Sequence, residues 1–433
     1  MRRFIAVYTS IILITVIPNC VLAQDKKTPA LETVKNLISD THGFIEYGYG
    51  FRVGSDDRQK HCTTYHETRL QLELSKQFDT FEFQIKKDIT YDAWEGTFDL
   101  DLREAYVYLF PLDWVDLKIG RQILTWGTGD FLFLNDLFPK DWQSFFIGRE
   151  DEYLKAPSTA LKVSAFPELF GQEFVVDFVW MPVFEHDRFI VGERISYFNT
   201  LLNDKAGFKR QVHFERPDRT FDNSVFAARI SKNFSGTETA LYFYKGFFTR
   251  PLGFDFNAWR NIFPQLAVYG TSVRGAVLNG IGNMEIAYYD SMDDSTGDDP
   301  FIENSVLKGL VGYTRELKKD LTMGLQYYVE YMMDYGNYRS SYPLSEIRAD
   351  QARQVVTLRL TQLMMLQTLR LSFFTFYSPT DEDAYIRPSL NYKINDNLDV
   401  TCGGNIFVGR EEHTFFGQLE DNTNLFARIR YSF

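Results

Sequence analysis

The last ten residues, Asn424-Leu-Phe-Ala-Arg-Ile-Arg-Tyr-Ser-Phe433, decide how the rest of the chain is read. One face carries Leu425, Ala427, Ile429, Tyr431 and Phe433; the other carries Asn424, Phe426, Arg428, Arg430 and Ser432. This period of two is a β-strand with one oily and one mostly polar face. Such a strand suits a wall with lipid outside and water inside, because the backbone pairs sideways while alternate side chains meet opposite solvents.

The same alternation recurs along the chain. Segments 43-54, 63-77, 80-91, 100-110, 115-125, 158-167, 171-181, 223-234 and 237-248 read as strands. So do 265-276, 280-291, 304-316, 320-332, 353-364, 366-377, 383-394, 398-409 and 424-433, which makes about 18 in all. Connections after even-numbered strands are tight, as at Phe78-Asp79, Phe234-Ser235-Gly236 and Asn395-Asp396-Asn397. Those after odd-numbered strands are long, notably 126-157, 182-222, 249-264, 333-352 and 410-423. A soluble sandwich or propeller has no reason to sort loops onto two ends in this way. The pattern predicts an all-β, antiparallel up-and-down transmembrane barrel, with both termini at the periplasmic end and the long loops outside.

Composition agrees. The chain is 45% hydrophobic and 16% aromatic, with 40 Phe and 25 Tyr, yet its mean hydropathy is only -0.25. Alternation reconciles these figures, since lipid-facing residues are interleaved with polar ones. Met1-Arg2-Arg3, the uncharged run Phe4 to Ala23 and the small residue at its end read as a signal peptide over 1-23. A leader over 24-42 follows, in which 28-40 has the apolar spacing of a short helix, and 43-433 is read as the barrel. A net charge of -12 and a pI near 5.1 argue against nucleic acid as partner. After processing only Cys62 and Cys402 remain, too few for a disulfide scaffold. The six His residues show no metal spacing, and no haem, nucleophile-elbow or other cofactor motif appears, so neither a metal nor a cofactor nor an enzyme is expected.

Alternation also assigns the inner face. A mostly acidic wall is expected from Glu67, Glu73, Glu82, Asp88, Asp99 and Asp101, and a basic one from Arg359, Arg370, Arg387, Lys393, Arg428 and Arg430. Two uses fit such charges: a ladder that guides small polar or anionic solutes, or pairing across the lumen that keeps the wall rigid and hydrated. In either case a wet lumen is expected. The connection 126-157 holds seven Phe and Trp residues, a liability in solvent, so it should fold back into the barrel. Its charges Asp130, Asp136, Arg149, Glu150 and Asp151 would then line a constriction.

Gly120-Arg121-Gln122, Trp126-Gly127, Asn135-Asp136 and Pro139 resemble a segment of uncharacterised outer-membrane channel families and, more loosely, of alginate-export-like 18-stranded porins. The resemblance spans about 40 residues and implies an 18-stranded channel whose third long loop enters the pore. Strict alternation would send Arg121 into lipid, so a bulge near Gly120 is expected to turn it into the constriction. The terminal Phe433 resembles the signal by which Gram-negative outer-membrane barrels are recognised by the assembly machinery. Outer-membrane lipid and lipopolysaccharide are the implied surroundings, and a homotrimer would need an apolar, flattened outer face. Alternative readings are export of an anionic polysaccharide, or an adhesin or enzyme whose function sits on loop 182-222.

Overall fold

The computed structural model describes residues 41-169, 171-344 and 347-433. The signal peptide and the helix at 28-40 lie outside the described residues. The strands are β1 (Thr41–Arg52), β2 (Thr63–Gln77), β3 (Phe81–Asp92), β4 (Thr97–Leu112), β5 (Val115–Gln122) and β6 (Ser158–Ala165). Then follow β7 (Val175–Met181), β8 (Val225–Phe234), β9 (Thr237–Phe247), β10 (Gln265–Val277), β11 (Gly280–Ser291) and β12 (Val306–Lys318). The last are β13 (Leu321–Met332), β14 (Ala352–Met364), β15 (Leu369–Ser378), β16 (Asp383–Lys393), β17 (Leu398–Gly409) and β18 (Asn424–Ser432). β1 begins at Thr41, so the last two residues assigned to the leader belong to the barrel.

Each strand pairs with its sequence neighbours, and β1 pairs antiparallel with β18 from Phe44↔Ser432 to Arg52↔Asn424. The 18-stranded sheet is therefore closed. At the seam Gly43 N donates to Phe433 O at 3.1 Å and Phe433 N donates to Gly43 O at 2.9 Å. The terminal residue thus continues the ladder beyond β18. Closure matters because an open edge in hydrocarbon would leave every second backbone group unpaired.

The tight end turns through left-handed backbone. Ser235 (φ 51°) and Gly236 (φ 90°) join β8 to β9, and Leu278 (φ 47°) with Asn279 (φ 60°) joins β10 to β11. Positive φ at both central positions matches the right-handed twist of the flanking strands.

Side chains divide as alternation requires. On β18, Leu425, Ile429 and Tyr431 are 43%, 44% and 49% exposed, whereas Phe426 and Arg428 are each 8% exposed. Two expectations fail. The lumen is not wet throughout: Leu134, Phe138, Phe145, Phe146, Ile147 and Leu154 of the long connection after β5 form a buried apolar cluster with wall residues. The bulge near Gly120 is also absent, since Gly120 pairs with Tyr106 and Ala160, and Arg121 with Ala105 and Thr159, in unbroken register. Arg121 stays on the outer face beside the exposed Ile119. There its Nε donates to Leu102 O at 2.7 Å and Nη1 to the Glu185 carboxylate at 3.0 Å. The rim position makes this possible, because a loop can deliver a counter-charge there and cannot do so at mid-bilayer. The extra residue sits instead on β4, where Lys86 pairs with Glu104 and Lys87 with Leu102, leaving Arg103 to turn inward at 2% exposure.

The inside-outside assignment has a direct test. Leu241→Arg on the outer face of β9 is expected to destabilise the barrel by about 2–4 kcal/mol in urea unfolding from lipid vesicles. Thr361→Arg on the inner face should cost much less.

Candidate functional site

The connection between β5 and β6 enters the barrel and meets the wall in nearly every sector. Its first leg is held by Glu285 on β11, whose carboxylate accepts from Thr128 N, from Gly129 N and Thr128 Oγ1 at 2.8 Å each, and from Asn135 Nδ2 at 2.7 Å. Four donors to one buried carboxylate replace the water it lost. Gln326 on β13 fixes the next residue twice, accepting from Asp130 N at 2.8 Å and donating to Asp130 O at 3.0 Å.

A short helix, α1 (Trp142–Ile147), crosses the middle. Asp141 caps it by accepting from Ser144 N at 2.7 Å, and Gly148 ends it at φ 96°. Only glycine fits there, since a Cβ would stand 2.3 Å from the Phe426 ring. Phe145 and Phe146 pack edge-on against Tyr385, and Phe146 against Phe407, at 5.3 to 5.7 Å between centroids. Asp187, from the connection after β7, accepts from Lys140 N and Trp142 Nε1 at 2.9 Å each. Burial pushes its carboxyl above the ordinary range despite the nearby Lys140 charge.

The last leg is held by ions. Glu67 on β2, 1% exposed, accepts from Arg149 Nε at 3.0 Å and Arg69 Nη2 at 3.1 Å, while Arg69 Nη1 reaches Asp88 at 2.8 Å. Tyr153 lies between two guanidiniums, Arg69 at 4.0 Å and Arg103 at 4.6 Å from its ring centroid, and its hydroxyl accepts from Gln71 at 3.1 Å. Arg103 also donates to Lys155 O at 3.0 Å.

The predicted inner residues can now be placed. Arg359 Nη2 pairs with Asp130 at 2.8 Å, Arg387 with Asp151 at 2.9 Å, and Arg430 with both Glu46 at 2.8 Å and Glu150. Arg428 lies 3.6 Å from the same two carboxylates. Burial raises the Glu150 carboxyl although Arg430 and Arg428 pull it down. On the other wall Glu73 meets Lys86 at 3.6 Å and Asp101 meets Arg188 at 2.7 Å. Asp136 stays within the loop, bound to Lys140 at 2.9 Å. Glu82 and Asp99 lie on inner-face positions opposite Tyr108 and Thr90. Arg370 and Lys393 have no acidic partner among the described residues. The acidic and basic walls therefore do not face each other across open water, because the loop lies between them and supplies many of the partners. Arg121 has no part in the constriction.

Glu285, Gln326 and Glu46 were missed as site residues. The sequence signal for Glu285 is its alternation with the lipid-facing Met284 and Ile286, a single inward carboxylate rather than a charge-rich strand.

Beneath the long loops lies a cavity of about 710 Å³. Phe131, Phe133, Trp142 and Phe145 form one side of it, and Tyr289, Lys308, Tyr328, Glu330 and Arg353 the other. Loop residues Arg250, Arg348 and Arg410 also line it. Cys62 and Cys402 are both free and exposed.

Truncating Glu67 to Ala would leave Arg69 and Arg149 buried without their shared counter-charge. A loss of about 3–5 kcal/mol is expected in unfolding, with faster proteolysis within 126-157.

No family model and no curated protein sequence matches the chain. Solved structures do. Acinetobacter baumannii OccAB3 aligns over 91% of this chain and 99% of its own, with 11% identity and a TM-score of 0.55. Pseudomonas aeruginosa OccK11 (OpdR) covers 90% and 95% at 9% identity and TM-score 0.52, and OpdL of the same organism 91% and 98% at 10% and 0.51. At these identities the likeness concerns the fold, which is that of an outer-membrane porin barrel.

Proposed function

We propose that this protein is a passive outer-membrane channel for small polar or anionic solutes, with its passage set by the loop 126-157. The observation that carries this reading is the loop's position inside a closed barrel, with a cavity of mixed aromatic and charged lining ending on it from the long-loop side. The long-loop end is external in this reading, and solutes enter through the cavity rimmed by Arg250, Arg348 and Arg410.

Anion bias rests on fewer residues than the inner-face pattern suggested. Arg359, Arg387 and Arg430 are compensated by loop carboxylates, so their net field on a solute is small. Arg370 and Lys393, towards the tight-turn end of the same sector, are not. They are the basic residues we assign to anion attraction. Export of a polysaccharide needs a continuous lumen, which the packed loop interrupts, so small solutes are favoured. The connection 182-222 is bound to the wall through Arg188 and Arg194 and to the connection 410-423 through Lys205, which suits a part of the mouth better than an independent adhesive or catalytic element.

Reversal potentials in a salt gradient across a planar bilayer test the assignment. The intact protein should prefer anions, and Arg370→Ala with Lys393→Ala should reduce that preference severalfold. A cation preference in the intact protein, or a ratio unmoved by the double substitution, contradicts it.

A further inference from the structure

One aromatic ring stands where the cavity beneath the long loops ends. Phe131 lines that cavity, and its ring packs edge-on against Phe145 of α1 and Phe374 of β15, each 5.0 Å away between centroids. Two guanidiniums face the same ring, Arg359 at 4.6 Å and Arg387 at 5.6 Å from its centroid. Both are paired with loop carboxylates whose side chains are half-open to solvent, Asp130 at 43% and Asp151 at 49% exposure. Neither ion pair lines the cavity, so Phe131 stands between the cavity and these half-open pairs.

Its backbone is unusual. Phe131 sits at φ 59°, a left-handed conformation that disfavours a residue with a bulky side chain. Such a conformation persists only where neighbours impose it. Here the three preceding residues are clamped by the wall. Glu285 holds Thr128 and Gly129, Asn283 Nδ2 donates to Thr128 O at 3.1 Å, and Gln326 and Arg359 hold Asp130. Gly129 allows the turn to close, since a Cβ there would lie 2.2 Å from Leu132 O. Four wall side chains from β11, β13 and β14 thus aim one ring across the lumen.

We propose that Phe131 is the gate of the channel: its ring closes the passage between the external cavity and the space around the Arg359–Asp130 and Arg387–Asp151 pairs, and solutes pass when it swings aside. The gate rests on the channel reading given above. The left-handed backbone gives it a second state, because relaxation to negative φ relieves strain and re-aims the ring. The clamp supplies the return. Pairing of Arg359 and Arg387 with the ring face adds a hold that the solute must break.

Single-channel recording of the full-length protein in planar bilayers tests this, with heat-modifiable migration as the check on folding. Phe131→Ala should raise conductance severalfold and admit larger solutes, and Phe131→Gly should do so at least as strongly, since it also removes the backbone strain. Phe133→Ala, in the same loop and lining the same cavity, should stay near the parent value. A silent parent with a conducting Phe131→Ala supports the gate. A conducting parent whose conductance is unchanged in both Phe131 variants overturns the gate and leaves the channel reading standing. No current from any folded variant overturns both.

Discussion

Everything in this molecule depends on lateral closure of the sheet. A backbone amide or carbonyl left unpaired in hydrocarbon costs several kcal/mol, so β1 must find β18 or the sheet cannot reside in a bilayer. The seam achieves this over nine register pairs and extends it through Gly43 and Phe433. Closure also fixes the inner face, because once both ends are paired no strand can slip by one residue without exchanging its lipid and lumen sides. The inner residues are therefore consequences of the seam.

What fills the lumen follows from relative magnitudes. Burying a Phe contributes about 1.5–3 kcal/mol, and the loop brings several into contact with Tyr385, Phe407 and Phe374. Half-exposed ion pairs such as Arg359 with Asp130 contribute about 0–1 kcal/mol each. Aromatic packing therefore holds the loop inside, and the charges decide where each segment lands. The buried trio Glu67, Arg69 and Arg149 differs, since its members have left water and depend on one another. A row of arginines that looks like a conduit in sequence thus becomes, for the most part, a set of docking points for a loop.

The architecture was legible because it is written locally. A period of two, tight turns and long loops are each visible within a dozen residues, and β2, β11 and β17 run from Thr63, Gly280 and Leu398 as alternation predicts. The aromatic content of 126-157 likewise revealed that it must fold inward. What was not legible depends on distant partners. Arg121 was expected to turn into the lumen, and nothing near it in sequence shows that Glu185, some sixty residues on, would meet it at the outer rim. The bulge lies on β4 at Arg103 rather than at Gly120, because glycine is a local cue and the stacking of Arg103 on Tyr153, some fifty residues on, is not. The pairing of basic wall with loop carboxylates needs three-dimensional register that no single strand contains.

We propose that the loop inside the barrel, rather than the barrel itself, sets what passes. Single-channel conductance after replacing residues 128-149 with a short glycine linker measures this most directly. The account predicts a large increase, towards the conductance of an unobstructed 18-stranded barrel, with selectivity left to Arg370 and Lys393. Conductance equal to that of the intact protein, in a variant that folds and inserts normally, would contradict it.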